Sequence, residues 1–255
     1  MELKVLGCSG GIGRGHRTTS LLVDDDVLID AGSGVGDLDL SQMAAIRHVF
    51  LTHSHLDHIA FIPFMLDSVF DRVGQALTVH GLPETIKALQ QHIFNWRIWP
   101  DFSVLPSADR PVLRYAPMEA GQGVELKGRR FEMIPVAHAV PAVGYRVSSP
   151  GGAFAFSGDT STNDAFWDAL NAAAGLDVLI VETAFSNAEL KLCHLAKHYC
   201  PSLLAADMKK LRHRPAVCIT HNKPGEEETI LAEIRAALPD WPSLRRLSGG
   251  EVFYF

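Results

Sequence analysis

Six consecutive residues, His53-Ser54-His55-Leu56-Asp57-His58, place four metal-competent side chains directly after the apolar run Val49-Phe50-Leu51 and Thr52. A buried imidazole or carboxylate without a partner is expensive, so ordinary core packing cannot absorb all four. A fold that accepts this segment must bring it a cation and further ligands. Read as a strand from Val49 to Thr52 that breaks into a loop, the segment sends His53 and His55, two positions apart, to the same side. Asp57 and His58 are expected to follow on the loop and to reach a second ion. Paired ions held by histidine and carboxylate, with no thiolate, suit zinc, manganese or iron in hydrolytic chemistry. The competing reading is a polar loop that happens to be rich in histidine.

Two ions need more ligands, and candidates occur singly where other apolar strands end. His138 follows Phe131 to Val136, Asp159 follows Ala153-Phe154-Ala155-Phe156-Ser157-Gly158, and His221 follows Val217-Cys218-Ile219-Thr220. Strand ends are where a fold holds site residues rigidly.

The rest of the chain reads as a layered α/β protein. Strands are expected at Leu3 to Leu6, Thr19 to Val23, Val27 to Asp30, Leu77 to His80, Arg130 to Val136, Gly144 to Val147, Ala153 to Ser157, Val178 to Glu182 and Ala216 to Thr220. Helices are expected at Ile59 to Arg72, Pro83 to Asn95, Thr162 to Ala174, Pro201 to Leu211 and Glu226 to Ala237. Strands followed by helices, twice over, point to two packed sheets with helices outside. A chain of 255 residues with 47% hydrophobic content is large enough for one such domain. Gly10-Gly11-Ile12-Gly13-Arg14-Gly15 fits neither nucleotide-loop spacing and reads as a connecting loop. Residues 59 to 110, with the aromatic Trp96 to Pro106 run, read as a substrate cover or a contact between two copies, against plain core cover.

A formal charge of −6 offers no sequence-wide basic footprint, which argues against a nucleic acid as the main partner. The four cysteines show no Cys-x-x-Cys pairing or disulfide framework, as expected in a reducing compartment. The N-terminus lacks the apolar stretch of a signal peptide, and no run long enough to span a membrane is present. A cytoplasmic location is therefore expected.

With these residues in place, the chain resembles the metallo-β-lactamase-fold hydrolases. Their His-x-His-x-Asp-His signature is matched by His53, His55, Asp57 and His58, and their later His, Asp and His by His138, Asp159 and His221. Asp30, in Val27-Leu28-Ile29-Asp30-Ala31-Gly32, matches an early aspartate that supports the site by hydrogen bonding. The resemblance implies a single-domain, four-layer αββα sandwich. It also implies two divalent ions, zinc first: His53, His55 and His138 hold one, Asp57, His58 and His221 the other, and Asp159 bridges them. A water shared by two cations ionises near neutral pH and becomes the nucleophile, with Asp57 also placed to orient it.

Within that fold a flavodiiron oxidoreductase would carry Glu where this chain has His55. A β-lactamase need not supply Asp159, and glyoxalase II, which shares the bridging aspartate, lacks the features that follow. Glu182-Thr183-Ala184-Phe185 is similar to the Glu-Ala-Thr segment of the tRNA 3'-processing endonucleases, and His198, sixteen residues on, falls where they place a His-Ser-Thr. A hydrogen bond from His198 to Glu182 would raise the imidazole pKa and make it a general acid for a leaving alkoxide. His194 is the nearby rival. The 21 positions from His138 to Asp159 leave no room for a tRNA-clamping arm.

Other stretches resemble the class II 3',5'-cyclic-nucleotide phosphodiesterases: Gly81-Leu82-Pro83-Glu84-Thr85, His92-Ile93-Phe94-Asn95, Ile98-Trp99-Pro100-Asp101-Phe102 and Thr220-His221-Asn222-Lys223-Pro224. The chain departs from them at Lys197-His198-Tyr199-Cys200-Pro201, where they usually carry Gly-His-Leu-Thr-Pro. That resemblance implies a homodimeric phosphodiesterase acting on cAMP or cGMP, with His92 and Lys223 as substrate-contact candidates. A tRNA 3'-processing enzyme, a glyoxalase II-like thioesterase and a metal- and nucleotide-binding protein without turnover are the alternatives.

Overall fold

The computed structural model describes residues 1–255. The first half runs β1 (Glu2–Gly7), β2 (Ser20–Val23), β3 (Val27–Ile29), α1 (Leu40–Ala45), β4 (His48–Phe50), α2 (Leu56–Ile59), α3 (Phe61–Ser68), β5 (Leu77–Gly81), α4 (Pro83–His92), the short strands β6 (Pro106–Ser107) and β7 (Arg110–Pro111), and β8 (Leu113–Pro117). The second half runs β9 (Gly123–Leu126), β10 (Arg129–Pro135), β11 (Val143–Ser149), β12 (Gly152–Phe156), α5 (Ala165–Ala172), β13 (Val178–Glu182), α6 (Leu190–Ala196), α7 (Pro201–Met208), β14 (Ala216–Thr220), α8 (Glu227–Ala237), β15 (Leu244–Arg246) and β16 (Val252–Tyr254).

Two seven-stranded sheets, ordered β16-β1-β2-β3-β4-β5-β8 and β15-β14-β13-β12-β11-β10-β9, pack face to face. Alternation along each strand builds the layers. Leu21, Val23, Val27 and Ile29 of the first sheet meet Phe154, Phe156, Val178 and Ile180 of the second in one buried cluster. Their neighbours Leu22 and Leu28 point the other way, to Ile62, Met65 and Leu66 of α3 and to Ile86 and Leu89 of α4. Ala155, Leu179 and Val181 likewise meet Phe166, Trp167 and Leu170 of α5, Leu204 of α7 and Ile230 of α8. Strands covered on both faces need apolar residues at every position, which is why they read as continuous apolar runs. The result is the expected four-layer αββα sandwich. No helix is long and apolar enough to cross a membrane.

Strand direction places the site. β12, β13 and β14 are mutually parallel. β10 runs the same way, being separated from β12 by the antiparallel β11. The C-terminal ends of β10, β12, β13 and β14 therefore share one edge, and the parallel pair β3 and β4 ends together in the first sheet. Asp30, His53, His138, Asp159, Glu182 and His221 all lie at or just beyond these ends.

Several boundaries differ from expectation. Asp57 and His58 lie in the helical turn α2 rather than on a loop, because His55 ends the extended segment and accepts the His58 N–H at 3.0 Å. Asp57 in the first turn suits the positive end of a helix. The helix expected from Ile59 to Arg72 breaks at Ala60 and ends at Ser68, followed by a short 3-10 turn at Phe70–Arg72. The helix expected from Thr162 starts at Ala165, since the Asn163 side chain turns back to accept the Phe166 N–H at 2.9 Å. Strands β8, β9, β15 and β16 and helices α1 and α6 were not expected at all. The four strands are flanking or edge strands whose pairing comes from a neighbour rather than from their own periodicity.

Candidate metal centre

The structure brings the seven ligand candidates together in two groups joined by Asp159. Ligand atoms of His53, His55, His138 and Asp159 lie within 4.8 Å of one another, as do those of Asp57, His58 and His221. Asp159 Oδ2 stands 3.7 Å from His53 Nε2 and 3.3 Å from His221 Nε2, while Asp159 Oδ1 stands 3.4 Å from His58 Nε2. One carboxylate thus faces both groups. Asp57 Oδ2 is 3.8 Å from both His58 Nε2 and His221 Nε2.

The remaining ring nitrogens are aimed by a surrounding shell. Asp30, fully buried, accepts the Thr52 N–H at 2.8 Å, the Thr52 hydroxyl at 2.8 Å and His58 Nδ1 at 2.7 Å. His138 Nδ1 donates to the Lys197 carbonyl at 2.9 Å. Each bond puts the proton on Nδ1 and leaves the Nε2 lone pair facing the cluster, as metal-binding histidines are usually held. Thr52 Oγ1 also lies 3.0 Å from His53 Nδ1.

Close backbone approach is needed to crowd these loops. A Cβ on Gly32 would stand 2.2 Å from the Asp57 carbonyl oxygen, and one on Gly10 would stand 2.4 Å from that of His221. Only glycine fits either position. The Gly10–Gly15 loop joins β1 to β2 as expected and, through Gly10, also packs on the His221 segment. His221 itself adopts φ 61° and Asp30 φ 57°, left-handed conformations that are uncommon for residues with side chains and concentrate at functional sites.

The donor set fits divalent cations. His53 Nε2, His58 Nε2 and Asp159 Oδ1 are buried without a hydrogen-bond partner. Each such atom costs about 1–3 kcal/mol if nothing meets it, and all three point into the cluster. Nitrogen and carboxylate oxygen without sulfur is the ligand chemistry of zinc, manganese or iron.

Electrostatics favour three of the rings as ready ligands and set His58 apart. Burial holds His53 well below the ordinary imidazole range, His138 at about 4 and His221 at about 3, so these rings are neutral and have lone pairs available. Burial would raise Asp159, but His221 and His58 reverse this and hold it well below the carboxylate range. Burial disfavours charge on His58, yet Asp159 and Asp30 outweigh it and push that ring well above its usual value, so the carboxylates favour its protonated form and a cation at Nε2 would take that proton's place.

Beside the cluster stands a second constellation. His198 Nδ1 lies 2.7 Å from Glu182 Oε1, which also accepts the Thr160 N–H at 2.9 Å. Glu182 Oε2 accepts the N–H groups of Ala184 at 3.1 Å and Tyr199 at 3.3 Å. Burial raises Glu182 against the pull of His198. Burial would lower His198, but Glu182 more than reverses that, so the imidazole is favoured protonated. The His198 ring stacks on His221 with centroids 5.4 Å apart, while His194 is exposed on α6. His92 is exposed in the last turn of α4, outside both groups. Lys223 is half-buried with Nζ 2.7 Å from the Gly10 carbonyl.

Sequence reading missed Thr52 and Thr160, hydroxyl residues adjoining ligand positions. Their placement between an apolar strand and a ligand was the available signal. The Lys197 carbonyl left none, because any residue supplies a carbonyl.

The chain belongs to the beta-lactamase superfamily: that superfamily's domain description matches residues 26–224. Among its relatives is a protein of Yersinia pestis named a probable 3',5'-cyclic-nucleotide phosphodiesterase, 27% identical over 89% of this chain and 79% of its own length. A protein of Methanopyrus kandleri named ribonuclease Z is 28% identical over 59% of this chain and 51% of its own length. The crystal structure of unliganded yeast PDE1 superposes with a TM-score of 0.81 at 19% identity, covering 100% of this chain and 99% of that one, a likeness of fold.

Proposed function

We propose that the protein is a dinuclear metal-dependent phosphodiesterase that opens 3',5'-cyclic nucleotides, cAMP or cGMP, to 5'-monophosphates. The observation that carries this reading is a polarised imidazole beside the metal ligands: ligand atoms of His198, Asp159 and His221 lie within 4.8 Å of one another, and Glu182 holds the far side of the His198 ring. In this reading His53, His55 and His138 hold one ion, Asp57, His58 and His221 the other, and Asp159 serves both, with zinc first and manganese or iron as alternatives. Two such ions would acidify a water molecule and neutralise charge on the attacked phosphate.

The protein's own groups supply the remainder. Asp57, with about a third of its side chain exposed, is the cluster carboxylate open to solvent and can orient the attacking water. His198 Nε2, the nitrogen not engaged by Glu182, gives its proton to the 3'-oxygen as the P–O bond breaks. The bonding pair stays on that oxygen and the imidazole is left neutral. Lys223 has N–H groups beyond the one bonded to Gly10 and can meet a substrate phosphate, and His92 is kept as a second, more distant contact. Exposed Phe64, Trp96 and Ile98 support the reading of residues 59–110 as a contact surface, for substrate or for a second copy in a homodimer.

The relatives named ribonuclease Z favour a second reading, tRNA 3' processing. Against it, the stretch between His138 and Asp159 is occupied by the hairpin β11–β12, with no inserted arm. Metal-loaded protein incubated with cAMP, cGMP, bis(p-nitrophenyl) phosphate and S-lactoylglutathione should turn over the phosphodiesters. Turnover of the thioester alone would sink the proposal.

A further inference from the structure

The turn that carries His198 is held on every side. Lys197 adopts φ 55°, a left-handed conformation unfavourable for a residue with a side chain. Its carbonyl accepts His138 Nδ1, the His198 carbonyl accepts Cys193 Sγ at 2.7 Å, and the Tyr199 carbonyl accepts the Ala184 N–H at 3.1 Å. These bonds fix the backbone. What ties the turn to the helical layer is the side chain of Tyr199, which is fully buried.

The Tyr199 hydroxyl donates to Asp207 Oδ2 on α7 at 2.6 Å and accepts Trp167 Nε1 of α5 at 3.3 Å. Asp207, almost wholly buried, also accepts the Asn163 N–H at 3.2 Å and pairs with Lys210 Nζ at 2.7 Å. A leucine would fill much of this volume with no polar cost. A buried phenol facing a buried carboxylate is tolerated only where the bond between them is kept. None of these atoms touches the metal ligands. Their common effect is to stop the turn sliding along α7, and the ring carried on that turn is His198, with His138 tied to it only through the Lys197 carbonyl.

We propose that Tyr199 and Asp207 are positioning residues that hold the His198 imidazole where it can reach the departing oxygen. This rests on the reading of His198 as proton donor. The pair should therefore matter for substrates that need a proton to leave and be nearly silent for those that do not. Metal holding should depend on it less, through His138 alone, whose Nδ1 bonds the Lys197 carbonyl of the same turn.

The test uses the metal-loaded protein and phosphodiesters whose leaving groups run from p-nitrophenolate to simple alkoxides, with cAMP in the series. Positioning contributes a fraction of the 10²–10⁴-fold of a general acid, so Tyr199→Phe should lower kcat for alkoxide leaving groups about tenfold and stay within about twofold for p-nitrophenolate. Asp207→Asn, which keeps an acceptor oxygen, should lie closer to the parent than Asp207→Ala. The ¹⁵N-labelled His198 ring should show one sharp set of resonances in the parent and exchange broadening in Tyr199→Phe. Equal losses for both leaving-group classes, or no loss for either, would overturn the inference. Tyr199→Phe removes one oxygen atom and decides the matter even if Asp207→Ala fails to fold. His198→Ala separates the two readings. If it too loses nothing selectively, the proton-donor reading falls and the inference with it. If it is selective and Tyr199→Phe is not, only the inference falls.

Discussion

Replacing Asp30 with Asn changes one atom at the centre of the shell that aims His58. The Asp30 side chain is fully buried and accepts three bonds within 2.8 Å, two from Thr52 and one from His58 Nδ1. Asn tolerates the left-handed backbone almost as well as Asp, so the φ of 57° is not the issue. A carboxamide has only one acceptor oxygen. If that oxygen takes the Oδ1 place and keeps the Thr52 N–H, the amide N–H groups at the Oδ2 place face the Thr52 hydroxyl and His58 Nδ1, and His58 must move its proton to Nε2 to accept one. That proton then blocks the lone pair that faces Asp159 and Asp57. Loss of a partner that orients a metal ligand costs about 10–100-fold in metal affinity, or about 1.4–2.7 kcal/mol. Competition between the protein and a chromophoric zinc chelator measures this, with circular dichroism to establish that the fold is intact. Affinity within twofold of the parent in a folded Asp30→Asn protein would refute the assignment of His58 Nε2 as a ligand aimed by Asp30.

Two further outcomes are expected. Gly10→Ala would put a Cβ 2.4 Å from the His221 carbonyl oxygen, so one backbone must shift at about 1–3 kcal/mol; metal analysis should show the ion held by His221 weakened more than the other, and equal retention of both would contradict the pairing of ligands proposed above. The third outcome concerns Asp26, which accepts Arg129 Nη1 at 2.7 Å and Lys127 Nζ at 2.7 Å. Burial alone would raise its carboxyl, but Arg129 and Lys127 hold it below the ordinary carboxylate range. Because the folded pKa lies below the unfolded one, this stabilisation is present above the ordinary carboxylate value of about 4 and is lost as pH falls through the folded value. Asp26→Ala also strands the buried Arg129 with Asp24 alone, a loss at the lower end of about 3–5 kcal/mol at neutral pH. Melting curves of parent and variant should converge as pH drops below about 4, and a gap that is constant with pH would rule out the linkage.

Much of the sandwich was legible because strands buried on both faces must be apolar throughout. Val178–Glu182 and Ala216–Thr220 match their expected bounds residue for residue. Edge and flanking strands were not legible, since Gly123–Leu126 is only four residues long, buries none of them fully and owes its conformation to pairing with β10. The same distinction holds at the site. His53, His55, Asp57 and His58 stand out by density, and His138, Asp159 and His221 by following apolar strands. Spacing could not show that Asp57 and His58 sit on a helical turn, because the turn forms only where His55 ends the extended segment.

The amino-acid order alone therefore determined which side chains could hold metal and that strands would end beside them, since ligand type and apolar periodicity are local properties. Tertiary structure decided which atoms meet. Only the shared edge of β10, β12, β13 and β14 and the ends of β3 and β4 bring Asp159 to both ligand groups, set Glu182 against His198 rather than His194, and tie Tyr199 to Asp207. Those pairings join residues far apart along the chain, and hydrogen-bond geometry at such separations exists only once the two sheets have packed.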